Sequence, residues 1–191
     1  GGAFKLTTFD SVVLGHEFSA EIVDYGPDTP HDLPVGTLVC SVPMLARPTP
    51  LAVGYSAETP GGFGEYMVLS RSLLLAVPAG TPATSAALTE PMAVGLHAVN
   101  KARLTGNEAV LVLGCGPVGL AVITALKQRG AAPVFAADYS PRRRSLALGQ
   151  GADAVVDPKV ESPYRHAELR RTDNVVIFEC IGVPGMIDRI F

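Results

Sequence analysis

Cysteine is scarce in this 191-residue sequence, and so is charge. The three cysteines, Cys40, Cys115 and Cys180, are widely spaced within apolar runs and form no CxxC pair, which excludes a disulfide framework. Buried free thiols are typical of a reducing compartment, so we expect a cytoplasmic protein. Charged residues make up 17% of the chain and its formal net charge is −3. Because a nucleic-acid surface needs excess positive charge, we expect no nucleic-acid partner.

Uninterrupted apolar runs of membrane-spanning length are also lacking. Residues 109–126 carry no charge over eighteen positions, which is about the minimum length for a membrane span. Three glycines and a proline interrupt this run where its pattern changes from strand to helix. The N-terminus has no basic region followed by an apolar block, so no signal peptide is predicted. We therefore expect no membrane association.

Apolar residues are abundant, at 48% of the chain, and provide enough material for one large domain or two small ones. The sequence before residue 80 is rich in Gly, Pro and Thr, and its short apolar runs are separated by turn signals. This pattern predicts a compact β-rich barrel or sandwich. Residues 43–60 contain four prolines and are predicted to be an irregular loop. The predicted strands are residues 20–24, 37–42, 65–69 and 73–77.

From residue 84 onward, helical and strand patterns alternate. The predicted helices are residues 84–103 with a break or new first turn at Pro91, 117–129, 141 to about 150 with Ser140 as its cap, and a polar segment at 162–171. The predicted strands are residues 109–113, 133–137, 154–156 and 174–178. This alternation implies a parallel sheet covered by helices on both faces. A full doubly wound sheet has about six strands, so the sequence looks like a segment of a longer protein.

Residues 110–119, with the sequence VLVLGCGPVG, carry the strongest functional signal. An apolar strand that runs into G-x-G-x-x-G and then into an amphipathic segment predicts a dinucleotide-binding turn. Gly114 permits the tight turn, Gly116 lets the backbone approach a pyrophosphate, and Gly119 allows a helix to pack closely on the strand. The helix that opens at Pro117 and Val118 offers free N–H donors and a positive dipole end to that anion.

Asp138 follows the second strand of this pattern, where a carboxylate would accept hydrogen bonds from an adenosine ribose. Its charge would repel a 2′-phosphate, so NAD is favoured over NADP. The cluster Arg142, Arg143 and Arg144 is the counter-argument, because one of these side chains could pair with that phosphate. Otherwise the cluster is a solvated first helical turn, an interpretation that we favour for two of its three arginines.

A second set of candidate residues comprises His16, Glu17 and Glu90. A neutral imidazole nitrogen and a carboxylate oxygen are natural zinc ligands, and Glu17 could bind the metal or act beside it. From the residues alone, such a histidine and glutamate pair is more often structural than metal-binding. The other histidines have no pattern of acidic or sulfur neighbours and are interpreted as structural or surface residues: His31, His97 and His166.

Residues 15–26, GHEFSAEIVDYG, resemble the GHExxGxVxxxG signature of the zinc-dependent medium-chain dehydrogenases. The pattern is most similar to the polyol- and threonine-dehydrogenase-like branch. The resemblance implies an α/β protein in which a GroES-like β-rich catalytic domain, residues 1–88, precedes a doubly wound Rossmann dinucleotide-binding domain, residues 89–191, both partial. Other segments resemble motifs of the same family and follow the family's order along the chain: residues 61–66, 90–91, 95–98, 114–119 and 151–157.

The resemblance also implies an activity, namely hydride transfer between a secondary alcohol or polyol and NAD(P). It makes His16 and Glu90 ligands of one catalytic zinc and places Glu17 next to the metal. It places Arg143 near the adenine and Gly182 in a loop near the nicotinamide. A homo-oligomer is expected because members of this family usually associate.

Two departures from the family pattern concern cysteine. The family's first zinc ligand is a cysteine upstream of the histidine, and none precedes His16 here. The four-cysteine lobe is also absent, since no cysteine lies between Cys40 and Gly61, so no structural zinc is expected. Two alternatives remain open: a zinc-free medium-chain reductase acting on enones or quinones, and an NAD(P)-binding module without turnover.

Overall fold

The structure is a computed structural model, and it describes residues 12–166, 169–172 and 174–189. The chain divides between Glu90 and Pro91 into two compact units. The assignment of residues 1–88 and 89–191 to two partial domains stays a prediction. None of the helices in the described part of the chain is long and apolar enough to cross a membrane.

The N-terminal unit is built from short antiparallel strands. Strand β2 lies between β1 and β5, with Ala20 opposite Val39 and Cys40 opposite Leu75. Strands β3 and β4 form a separate hairpin. One short helix, α1 (Ala83–Ala86), also belongs to this unit. The strands are β1 (Ala20–Glu21), β2 (Leu38–Ser41), β3 (Met44–Leu45), β4 (Leu51–Ala52) and β5 (Leu74–Ala76).

Two expectations for this unit were wrong. Residues 43–60 are not irregular throughout, because they contain the β3–β4 hairpin. The hairpin forms because Leu45 and Val53 are buried beside Phe18 in the core of the unit. Residues 65–69 form no strand, since they pair with no other strand among the described residues, and Tyr66 and Val68 are largely exposed.

The C-terminal unit contains a four-stranded parallel sheet in the order β8-β7-β6-β9. Strand β6 is central and completely buried, and one core cluster lies on each of its faces. This arrangement agrees with the predicted parallel sheet. The elements are α2 (Thr89–Ala102, which begins just before the unit), β6 (Ala109–Leu113), α3 (Pro117–Gln128), β7 (Val134–Ala137), α4 (Pro141–Gly149), β8 (Ala154–Val156) and β9 (Val175–Glu179).

Two predicted helices differ from those observed. The helix expected at residues 84–103 is divided into α1 and α2, and Pro91 lies in the first turn of α2, where a proline is tolerated. The helix expected at residues 162–171 is replaced by two 3₁₀ turns, Pro163–Arg165 and Leu169–Arg171. The first turn ends at His166, where φ is −55° and ψ is 130°. Residues 167 and 168 lie outside the described residues.

Glu108 closes the turn between α2 and β6. Its buried carboxylate accepts hydrogen bonds from the backbone N–H groups of Thr105 (2.9 Å) and Gly106 (2.9 Å), and from the Thr105 hydroxyl (2.7 Å). These hydrogen bonds, led by those from Thr105, lower the pKa of Glu108 to about 2. The ionised side chain therefore fixes the turn that leads into the central strand.

Replacing Glu108 with glutamine is expected to destabilise the protein at neutral pH, because a neutral amide accepts hydrogen bonds less strongly than a carboxylate. The carboxylate stabilises the fold above its ordinary pKa of 4.5, and this effect is lost as the pH falls toward about 2. The melting temperatures of the wild type and Glu108→Gln, measured from pH 7 down to pH 2, are therefore expected to converge at the acid end. A difference in melting temperature that stays constant from pH 7 to pH 2 would contradict the role assigned to the Glu108 carboxylate.

Candidate functional site

The glycine turn joins β6 to α3. The chain turns at Gly114, where φ is +89°, and Gly116 and Pro117 are the N-cap and first residue of α3. Within the part of the chain that the structure describes, no side chain caps this helix or accepts a hydrogen bond from the N–H groups of Val118 and Gly119. A Cβ built on Gly116 would meet no atom within 4 Å. The turn therefore leaves open space in front of a helix N-terminus, which fits an anion such as a pyrophosphate.

Gly119 sets how closely α3 approaches the strand. A Cβ built at this position would lie 1.9 Å from the carbonyl oxygen of Gly114, so a side chain cannot be accommodated without moving the backbone. The close packing expected from the sequence is therefore present in the structure.

Asp138 lies directly after β7, and its carboxylate is largely buried, with 9% of the side chain exposed. Its Oδ2 atom accepts a hydrogen bond from the backbone N–H of Cys115 (2.9 Å), and its Oδ1 atom accepts one from the N–H of Ser140 (2.7 Å). The carboxylate thus ties the glycine turn to the turn before α4. Each oxygen has a further lone pair, so acceptance of ribose hydroxyl groups stays a prediction that this geometry permits.

The three arginines of α4 have different surroundings. Arg143 is 56% exposed, and its Nη1 atom lies 3.8 Å from Oδ2 of Asp138. Arg144 pairs with Asp157 (3.0 Å) and donates to the carbonyl oxygen of Asp138 (2.8 Å). As expected for two of the three arginines, Arg142 and Arg143 are exposed, whereas Arg144 is only partly exposed. Arg144 fastens α4 to the ends of two strands, a role that spacing alone did not indicate.

Gly182 lies in the loop after β9, with φ +72°. Its N–H donates to Oε1 of Glu179 (2.8 Å), a contact that the sequence did not reveal. This loop packs on the glycine turn, since a Cβ built on Gly114 would lie 2.9 Å from Cγ1 of Ile181. The location of Gly182 near a nicotinamide stays a prediction.

Two cysteines lie near the glycine turn. Burial raises the pKa of the Cys115 thiol to about 12, and the Asp138 carboxylate adds to this effect. Burial also raises the pKa of Cys180 to about 11. Both thiols therefore remain protonated at neutral pH, which is unsuited to nucleophilic chemistry.

A separate group of donors lies in the N-terminal unit. The structure brings together His16, Glu17 and Glu90, and one ligand atom from each lies within 4.8 Å of the others. The backbone before His16 is fixed by hydrogen bonds from the N–H groups of residues 61–63 to the carbonyl oxygens of residues 13–15. Glu90 comes from the first turn of α2. The fold therefore brings Glu90 close to His16, although the two residues are far apart in the sequence.

The electrostatics of this cluster fit a cation. Burial raises the pKa of Glu90, the neighbouring His16 opposes the rise, and the carboxylate of Glu17 adds to it. Two carboxylates close together are stabilised by a positive charge between them. One imidazole nitrogen and two carboxylate oxygens form a donor set that zinc accepts, and three protein ligands leave a coordination position for an oxygen of a substrate.

Tyr55 is a member of the site that the sequence did not indicate. Its hydroxyl lies 2.9 Å from Nδ1 and 3.4 Å from Nε2 of His16, and the two rings are 5.2 Å apart. The loop that carries it is closed by Thr59, whose buried hydroxyl donates to the carbonyl oxygen of Ala52 (2.8 Å). Burial raises the pKa of Tyr55, and nearby carboxylates add to the rise. Tyr55 lies in a proline-rich segment, and no motif or residue spacing there predicts that it belongs to the site.

The remaining histidines lie outside this cluster. His31 stacks on Tyr25 with ring centroids 4.4 Å apart, and the ring of His166 lies 5.1 Å from that of Phe135. His97 is exposed. Their environments agree with a structural or surface role.

Comparison with known proteins gives matches in both units. A model described as an alcohol dehydrogenase GroES-like domain matches residues 2–79, and one described as a zinc-binding dehydrogenase matches residues 117–191. The (R,R)-butanediol dehydrogenase of Bacillus subtilis (strain 168) is 36% identical over 187 residues, which cover 92% of this chain and 54% of that protein.

Two solved structures show the same likeness. The crystal structure of galactitol-1-phosphate dehydrogenase from Escherichia coli matches with a TM-score of 0.81 and 32% identity, covering 94% of this chain and 56% of that one. A zinc-binding dehydrogenase from Sinorhizobium meliloti 1021, solved with NADP, matches with a TM-score of 0.80 and 27% identity, covering 92% and 56%.

The fold class is therefore a GroES-like unit followed by a Rossmann-like parallel sheet, as predicted. The chain belongs to the zinc-dependent medium-chain alcohol dehydrogenase family. It spans about half the length of the curated relatives it matches.

Replacing Gly119 with alanine is expected to destabilise the C-terminal unit by about 1–3 kcal/mol, because the new methyl group overlaps the Gly114 carbonyl. Urea unfolding followed by circular dichroism measures this loss. A variant as stable as the wild type would contradict the packing argument.

Gly116→Ala is the matched comparison. The φ of −74° at position 116 is ordinary for alanine and the methyl group meets no protein atom, so the only expected loss of stability is at most about 1 kcal/mol from an alanine at the N-cap. The methyl group instead occupies the space left for the anion, and the dissociation constant for NADH is expected to rise about tenfold, or about 1.4 kcal/mol. Unchanged NADH affinity, measured by cofactor fluorescence, would show that the pyrophosphate does not bind there.

Proposed function

We propose that this chain is part of an oxidoreductase that transfers hydride between a secondary alcohol or polyol and a nicotinamide dinucleotide, assisted by one catalytic zinc ion. The observation that carries the proposal is the convergence of His16, Glu17 and Glu90 within 4.8 Å. The family membership supports it, and relatives are named as butanediol and galactitol 1-phosphate dehydrogenases. The proposed substrate is a small-molecule secondary alcohol or polyol.

The C-terminal unit would bind and orient the dinucleotide. The N–H groups of Val118 and Gly119 would bind the pyrophosphate, and the open space at Gly116 would give it room. Asp138 would accept hydrogen bonds from the adenosine ribose while its own position is fixed by Cys115 and Ser140. Holding the dinucleotide at these two points would orient the nicotinamide, the group that would accept the hydride.

The N-terminal unit would hold the metal through His16, Glu17 and Glu90. These residues would hold a zinc ion that would supply Lewis-acid polarisation of an alcohol oxygen and so lower the pKa of its hydroxyl group. Two carboxylate ligands in place of thiolate would favour a harder Lewis acid toward oxygen. Tyr55, 2.9 Å from Nδ1 of His16, would orient the imidazole.

Cofactor preference follows from Asp138 and Arg143. The buried carboxylate disfavours a 2′-phosphate, whereas the exposed Arg143 is the group that could pair with one. The NADP found with the relative from Sinorhizobium meliloti shows that this phosphate is accepted elsewhere in the family. We propose NAD, because the position of Asp138 is fixed by two backbone N–H groups whereas Arg143 is exposed.

Further parts of the proposal concern the rest of the molecule. The three free cysteines favour a cytoplasmic location, and a homo-oligomer is proposed from the family resemblance. We propose no structural zinc, because no cysteine lies between Cys40 and Gly61. The division into a GroES-like domain at residues 1–88 and a Rossmann domain at residues 89–191 is part of the same proposal.

The metal assignment is tested with Glu90→Ala in the whole protein. Because Glu90 is a direct ligand in this proposal, alcohol oxidation is expected to fall by at least about 100-fold and the zinc content with it. Glu58→Ala, at an exposed glutamate of the same unit, is the matched control and should keep full activity.

Full activity of Glu90→Ala, or full activity of a wild-type protein without zinc, would overturn the metal assignment and favour the zinc-free reductase. Binding of NADH by the wild type without oxidation of any alcohol would instead favour a binding module.

Cofactor preference is tested by measuring kcat/KM with NAD and with NADP. NAD is expected to be preferred by about tenfold, because desolvating a 2′-phosphate beside a carboxylate costs on the order of 1.4 kcal/mol or more. Arg143→Ala is expected to lower the residual activity with NADP and leave activity with NAD within about twofold. A tenfold preference for NADP would refute the assignment.

A further inference from the structure

Glu179 occupies a particular place in the parallel sheet. It is the last residue of β9 and lies opposite Leu113, the last residue of β6. The chain leaves β6 for β7 on one side, whereas β9 lies on the other side, so the strand order reverses here. In open parallel sheets, ligands bind outside the carboxyl ends of the strands at such a switch point. The glycine turn follows β6, so Glu179 lies at the end of the strand next to that turn.

The carboxylate of Glu179 organises the loop that follows it. Its Oε1 atom accepts hydrogen bonds from the N–H groups of Ile181 (2.7 Å) and Gly182 (2.8 Å). Two N–H groups that have left the sheet are thus held by one side-chain atom, and hydrogen bonds to an ionised acceptor are among the stronger ones. Gly182, with φ +72°, allows the backbone to fold back over the carboxylate.

The loop held in this way touches the glycine turn. A Cβ built on Gly114 would lie 2.9 Å from Cγ1 of Ile181 and 3.1 Å from the carbonyl oxygen of Cys180. Despite this contact, Ile181 and Val183 remain 42% and 49% exposed. Apolar side chains are therefore presented beside the turn, at the edge where a ligand is expected.

The direction of the dinucleotide follows from the positions of its two anchors. The proposed pyrophosphate site lies at the N-terminus of α3, and the proposed ribose acceptor, Asp138, lies beyond β7 on one side of β6. The adenosine half of a bound dinucleotide would therefore occupy the β7 side. The nicotinamide half would extend the other way, over β9 and the loop at residues 181–183.

We propose that Glu179 is a positioning residue for the nicotinamide half of the dinucleotide: it holds the backbone of Ile181 and Gly182 against the glycine turn and so fixes the surface on which the nicotinamide ring lies. The proposal rests on the proposed dinucleotide-binding function. It assigns Glu179 no contact with the reacting atoms, because its carboxylate acts through the two loop N–H groups.

The test compares two probes on the whole protein. NADH contains both halves of the dinucleotide, whereas ADP-ribose lacks the nicotinamide. Glu179→Ala is expected to weaken NADH binding about tenfold, as loss of a charged acceptor for two hydrogen bonds requires, and to leave ADP-ribose binding within about twofold. Glu179→Gln keeps an acceptor oxygen at the same reach and is expected to restore NADH binding to within about threefold.

Glu179→Asp provides a second, milder variant, because it keeps the charge but withdraws the acceptor by one methylene group. It is expected to weaken NADH about threefold and ADP-ribose not at all. If Glu179→Ala does not fold, Glu179→Asp still allows the affinities for NADH and ADP-ribose to be compared.

Three outcomes would overturn the inference. Equal weakening of both probes would make Glu179 an ordinary structural residue, and unchanged affinity for both would show that the loop needs no acceptor. Both results leave the dinucleotide function standing. A wild-type protein that binds neither NADH nor ADP-ribose would overturn that function, and the inference with it.

Discussion

The C-terminal unit depends on how closely helix α3 approaches the end of strand β6. The space at Gly119 is so small that an added Cβ would lie 1.9 Å from the carbonyl oxygen of Gly114. Because the helix starts this near the strand, the N–H groups of its first turn lie at the carboxyl edge of the sheet, and Gly116 leaves open space in front of them. The absence of a side chain at Gly119 therefore sets the close packing, and its absence at Gly116 leaves room for the anion.

Carboxylates fix the turns around that contact. Glu108 holds the turn that enters β6, Asp138 joins the glycine turn to the start of α4, and Glu179 holds the loop after β9. In each case a charged acceptor satisfies backbone N–H groups that have no partner in the sheet. A rigid edge of this kind limits the entropy lost when a ligand binds, which favours a precise orientation of the proposed dinucleotide.

The N-terminal unit concentrates unfavourable charge where the proposed metal would bind. Burial and the neighbouring Glu17 both raise the pKa of Glu90, and only His16 opposes this rise. Holding two neighbouring carboxylates close together lowers the stability of the fold unless a cation compensates their charge. Perturbed carboxylates of this kind are typical of functional sites. Tyr55 adds a hydroxyl group to the same cluster and increases its polarity.

The amino-acid sequence by itself determined the parallel strands and the glycine turn. Strand β6 was predicted with its observed bounds and α3 to within one residue, because an apolar run and the glycines that end it are local signals. The tertiary structure alone decided the rest. Residues 65–69 form no strand, residues 43–60 contain a hairpin, and Tyr55 and Arg144 acquired contacts that no spacing encodes. Strand pairing and hydrogen-bond partners depend on residues far apart in the chain, whereas periodicity reports only on near neighbours.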